Sequence, residues 1–110
     1  MTDALATRVR LPARARRGET IEIRILVQHP MESGQRRGAD GQLVPRRILN
    51  ALSLRFDGEE ILSARFEPAM AANPLLGFHL RAERSGMIEL VWTEDGGAVH
   101  RSTHRLEVVG

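Results

Sequence analysis

The chain has 110 residues, no cysteine and a formal charge of +2. This length buries about two thirds of the unfolded surface without disulfide or metal support, which predicts a single domain over residues 1–110. The composition excludes a disulfide, a thiolate nucleophile and a Cys-ligated metal, and no apolar run of about 18 residues is present to form a transmembrane helix.

All 16 basic residues are Arg. They outnumber the acids only slightly, so the excess of permanently charged groups is small. The one basic concentration is Arg8, Arg10, Arg14, Arg16 and Arg17. No aromatic platform accompanies it, as nucleic-acid binding would require, and Arg on an exposed edge strand blocks further pairing. The pattern therefore predicts no nucleic-acid partner and no membrane contact. Met1 to Leu11 alternates apolar residues with Arg and has no continuous apolar h-region, so the residues alone predict no signal peptide and a cytoplasmic location.

In chain order, Ala6 to Leu11 alternates as a first strand that Pro12 ends, and Arg16-Arg17-Gly18 reads as a turn. Glu19 to Gln28 is the strongest strand signal, with Ile21, Ile23, Ile25 and Val27 on one face and Glu22, Arg24 and Gln28 on the other. Leu26 falls on the polar face and implies that something covers part of it. Pro30 lacks the N–H needed to continue the ladder.

From Met31 to Pro45 the chain is polar and contains Gly34, Gly38 and Gly41, with Asp40-Gly41 able to tip a hairpin excursion. A connection this long in a compact domain is usually functional or mobile.

Arg47 to Phe56 alternates again, with Ile48, Leu52, Leu54 and Phe56 inward and Asn50 on their side. Asp57-Gly58 turns the chain into Glu60 to Phe66, whose inward set reads as Leu62, Ala64 and Phe66. Glu67 to Leu75 reads as a linker. Gly77 to Ala82 places Phe78 and Leu80 inward, and Met87 to Thr93 does the same for Ile88, Leu90 and Trp92. Glu94-Asp95-Gly96-Gly97 is a turn before a last strand, Ala98 to Val109. Seven short strands with regular turns and no amphipathic helix predict an all-β fold, an immunoglobulin-like antiparallel β-sandwich. The Cys…Trp…Cys spacing of antibody domains is absent.

No catalytic constellation emerges. Ser33 and His29 have the residue types of a nucleophile and base, but Ser33-Gly34 has no nucleophile-elbow pattern and no following helix. Glu59-Glu60 sits in a hairpin without a pocket, and Gly34, Gly38 and Gly41 lack the strand-to-helix turn of a phosphate loop. His100 and His104 lie about 13 Å apart on a strand and read as surface histidines rather than metal ligands. The sequence thus predicts no enzyme, no cofactor and no metal.

Binding remains, and loops on a rigid sandwich carry it. In the 29–36 loop, Met31 offers an adaptable apolar contact, Arg36 a forked donor and the glycines close backbone approach. The 67–76 linker adds Met70, Leu75 and Leu76, either as a contact surface or as a plug over the end of the sandwich. A stand-alone ligand- or metal-binding sandwich and a self-associating module are the alternatives.

The run His29-Pro30-Met31-Glu32-Ser33-Gly34-Gln35-Arg36 resembles the signature loop of the SoxZ family, the Z subunits of the SoxYZ carrier of bacterial sulfur oxidation. Flanking landmarks agree: Gly18-Glu19, Asp40-Gly41, Val44-Pro45, Ile48, Asp57-Gly58, Ala69-Met70, Asn73-Pro74 and Leu90-Val91-Trp92. The resemblance implies a non-catalytic subunit paired with SoxY, whose C-terminal cysteine arm carries thiosulfate-derived sulfur between periplasmic enzymes. These include a c-type cytochrome and a sulfate-releasing hydrolase. It also implies a periplasmic location, reached by export with a signal-bearing SoxY, which overrides the cytoplasmic expectation. His29 to Arg36, with Met70, Asn73 and Pro74, become the candidate partner-binding residues.

Overall fold

The computed structural model describes residues 6–66 and 75–110. It is all-β among those residues, with eight strands: β1 (Ala6–Arg10), β2 (Arg14–Arg16), β3 (Thr20–Gln28), β4 (Leu49–Phe56), β5 (Glu59–Arg65), β6 (Leu75–Arg81), β7 (Gly86–Glu94) and β8 (Val99–Val109). They form a three-stranded sheet, β1-β3-β6, and a five-stranded sheet, β2-β8-β7-β4-β5, the two halves of an immunoglobulin-like sandwich.

The alternation of β3 is realised without exception: Ile21, Ile23, Ile25 and Val27 are buried and the residues between them exposed. Each such side chain contributes about 1.5–3 kcal/mol on removal from water. Facing them, cross-strand rows on the five-stranded sheet run Leu52–Trp92–His100, Leu54–Leu90–Ser102 and Phe56–Ile88–His104. Phe66 stacks on Trp92 with centroids 6.0 Å apart.

Three sequence expectations need correction. Arg14–Arg16 is a strand, not the approach to a turn, and it pairs parallel to β8; Arg17 and Gly18 alone make the turn. The strand count is therefore eight rather than seven. Leu62 does occupy the inward register opposite Leu54 but is exposed. The facing sheet has only three strands, so edge strand β5 is not fully covered. A register shift beside Asn50 brings both Ile48 and Leu49 into the core, where strict alternation would have allowed only one.

Candidate partner-binding site

The loop leaving β3 is fastened to the end of the five-stranded sheet through one buried carboxylate. His29 and Glu94 are both almost wholly buried. Glu94 continues the inward register of Ile88, Leu90 and Trp92 to the end of β7. Its Oε1 faces His29 Nε2 at 3.3 Å and also accepts from Arg47 Nε, while its Oε2 faces His100 Nε2 at 2.9 Å. Burial works to raise the pKa of Glu94, but hydrogen bonds from His100, Arg47 and His29 together outweigh it and push the carboxyl down to about 2. A buried charge is tolerated here because donors surround it.

His29 is oriented by the chain itself. The Met31 backbone N–H donates to His29 Nδ1 at 2.9 Å, so the imidazole hydrogen lies on Nε2 and points at Glu94. Met31 takes a left-handed conformation, φ 50°, rare for an unbranched non-glycine residue. Its side chain is buried, and its sulfur receives the Leu49 N–H at 3.4 Å. Glu32 and Arg47 then exchange two backbone hydrogen bonds of 2.8 Å, closing the base of the loop.

A second carboxylate holds the returning limb. Asp95 accepts from Arg46 Nε (2.8 Å), Asn50 Nδ2 (3.1 Å) and the Ile48 N–H (3.2 Å). The Arg46 hydrogen bond leads these in holding the Asp95 carboxyl at about 2. Beyond the base, Val44 donates to Arg36 O and Gly38 to Gln42 O, with Asp40 and Gly41 at the tip. At the turn, Gly34 has φ 86°, and a Cβ there would lie 3.1 Å from Cβ of Arg46. Only glycine suits that conformation and approach.

The predicted site residues thus divide. His29 and Met31 are buried within the chain and anchor the loop. Pro30, Gln35 and Arg36 are exposed, and Glu32, Ser33 and Gly34 half-exposed. Arg36 forks onto Glu32, with Nη2 to Oε1 at 2.7 Å, and this hydrogen bond is the main cause lowering the Glu32 pKa. The loop also carries Leu43, 55% exposed, an apolar group the sequence reading passed over. Met70, Asn73 and Pro74 lie outside the described residues.

Sequence reasoning also missed Glu94, Asp95, Arg46, Arg47 and His100 as parts of this site. The available signal was an acid two residues beyond Trp92 in the inward register. His100 and His104 share one strand face as their spacing allows; His104 Nε2 lies 3.1 Å from Ser102 Oγ, and burial lowers its pKa. Among the described residues, no three His, Cys, Asp or Glu side chains converge in a metal-holding group.

The fold and the loop define a small all-β sandwich with a pinned polar excursion at one end. Among solved structures it is similar to a superoxide reductase (neelaredoxin) from Ignicoccus hospitalis, at 16% identity and TM-score 0.70, covering 94% of this chain and 80% of that one. It is similar also to the sulfur carrier protein SoxY from Chlorobium limicola f thiosulfatophilum, at 16% identity and TM-score 0.66, covering 96% and 80%. A putative superoxide reductase from Thermotoga maritima matches at 15% identity and TM-score 0.71, covering 94% and 86%. At these identities the likeness is one of fold. No curated protein sequence matches the chain.

The family is shown by sequence. Residues 9–105 match the family described as "Sulphur oxidation protein SoxZ", and the chain belongs to that family.

Proposed function

We propose that this chain is the non-catalytic subunit of a sulfur carrier, pairing with a SoxY-like protein whose C-terminal cysteine holds the thiosulfate-derived cargo. The observation that supports this most is the extent of the family match, residues 9–105, which takes in the whole loop and both of its carboxylate anchors. The chain has no cysteine of its own, so any covalent sulfur attachment belongs to the partner. The exposed rim of the loop, Pro30, Glu32 to Arg36 and Leu43, is the contact surface in this reading. Its fastening through Glu94 and Asp95 keeps the ordering cost on association low. Met70, Asn73 and Pro74 stay contact candidates on the strength of the family resemblance alone. The Sox cytochrome and the sulfate-releasing hydrolase meet the complex transiently, and the complex works in the periplasm after joint export with SoxY.

Co-expression with the neighbouring genes, followed by affinity purification and intact-mass measurement, tests this. The expected result is an equimolar partner ending in a Gly-Gly-Cys-type arm, with added mass on that cysteine. Purification of the chain without such a partner would overturn the reading.

A further inference from the structure

The outer face of the three-stranded sheet holds a group of residues that the loop does not explain. In the β1–β3–β6 register, Arg8 lies opposite Leu26 and Leu26 opposite Leu75; in the next row Arg10 lies opposite Arg24, and Arg24 opposite Gly77. Leu26 is 38% and Leu75 67% exposed. Arg8, Arg10, Arg24, Leu26 and Leu75 line one shallow depression of about 220 Å³, and the missing side chain at Gly77 leaves the row beside it open. The acid on this face is Glu22, which pairs with Arg24 at 2.6 Å and faces His79 at 3.6 Å. Among the described residues, Arg8 and Arg10 have no acidic partner.

Three features argue against a merely solvated face. Like charges directly opposite on neighbouring strands repel, yet Arg10 and Arg24 are so placed. Arg on β1 protects an edge, but Arg24 is on the central strand β3, where no edge needs protection. Leucines paired across strands on an outer sheet face lose nothing by being covered.

We infer that this face docks an acidic segment of a partner protein, with its carboxylates on Arg8, Arg10 and Arg24 and an apolar side chain over Leu26 and Leu75. Guanidinium forks suit carboxylates bidentately, and the adjoining leucines demand a peptide that carries apolar groups between its acids. Nucleic acid fits less well, because Trp92 and all three Phe side chains are packed in or against the core and offer no stacking surface here. The inference stands apart from the SoxY reading and survives its failure.

Titration of the isotope-labelled full chain with a synthetic peptide of alternating Glu and Leu, followed by amide NMR shifts, tests it. The expected shifts centre on Arg8, Arg10, Arg24, Leu26 and Leu75. Replacing Leu by Ser in the peptide, or Leu26→Gln in the protein, weakens binding. The doubly substituted Arg10→Gln/Arg24→Gln chain loses about tenfold in affinity or more, equivalent to about 1.4 kcal/mol. Absent or scattered shifts in the unsubstituted chain would overturn the proposal. So would unchanged affinity in the double variant, or equal or tighter binding of oligothymidylate or of anionic phospholipid vesicles.

Discussion

The backbone N–H of Met31 donates to Nδ1 of His29 across only two residues of chain, and this short bond decides where the imidazole hydrogen points. With Nδ1 accepting, Nε2 donates to Glu94, so a local turn orients a side chain that fastens the loop to a strand far away in sequence. Long-range proton–nitrogen NMR is expected to find His29 as the Nε2–H tautomer. Finding the Nδ1–H form would break the link between the loop turn and the carboxylate. The variant His29→Leu leaves the Met31 N–H and one lone pair of Glu94 without partners in the interior, and a loss of about 1–3 kcal/mol in chemical unfolding is expected.

Glu94 makes stability depend on pH in a calculable direction. Its folded pKa, about 2, lies below the ordinary carboxylate value of 4.5. The stabilisation is therefore complete above pH of about 5 and is lost as pH falls toward 2, because the unfolded chain takes up the proton first. The contribution is about 3 kcal/mol. The variant Glu94→Gln is expected to be less stable than the parent by about 2–4 kcal/mol at neutral pH. That gap should close progressively in unfolding curves taken down through pH 4 to about pH 2. A gap that stays constant with pH would remove the charge of Glu94 from the account.

At the opposite end of the same sheet, Gly86 is closely confined. A Cβ there would lie 2.6 Å from Cζ of Phe56 and 2.7 Å from both carboxylate oxygens of Asp57. Asp57 Oδ1 accepts the Met87 N–H at 2.8 Å, and the Arg84 guanidinium lies over the Phe56 ring. Gly86→Ala must displace this group and is expected to cost about 1–3 kcal/mol by thermal or chemical unfolding.

Gly34→Ala separates loop shape from overall stability. The positive φ and the nearness of Arg46 Cβ both oppose the new methyl. The expected stability loss is about 1–2 kcal/mol, and in the proposed complex it should be accompanied by weaker binding of the SoxY-like partner, measured by calorimetry. Full affinity with reduced stability would place the contact surface elsewhere.

Much of the fold was legible because a half-buried strand writes its faces into the sequence with period two: Ile21 to Val27 and Ile88 to Trp92 lie where alternation puts them. What escaped was set by partners rather than pattern. Arg14–Arg16 becomes a strand only because β8 lies beside it. Leu62 is in register yet exposed because the facing sheet is narrower. The position of the loop was plain from its proline and glycines, and the family resemblance rested on it. Its anchors were not plain, since Glu94-Asp95-Gly96-Gly97 has the composition of an ordinary turn. The burial of His29 and Met31 follows from a left-handed turn that no spacing announces.

The parallel pairing of β2 with β8 has a consequence for how the molecule assembles. Residues 14–16 find their partners only at 107–109, and Arg17 bonds to the carbonyl of Val109 as well. A ribosome has to deliver more than ninety further residues after β2 before that pairing can form, whereas the β4–β5 and β7–β8 hairpins close over short separations. Folding is therefore expected to run from the hairpins inward, with β2 joining last. Until then, β8 presents an open strand edge to whatever protein is near enough to pair with it.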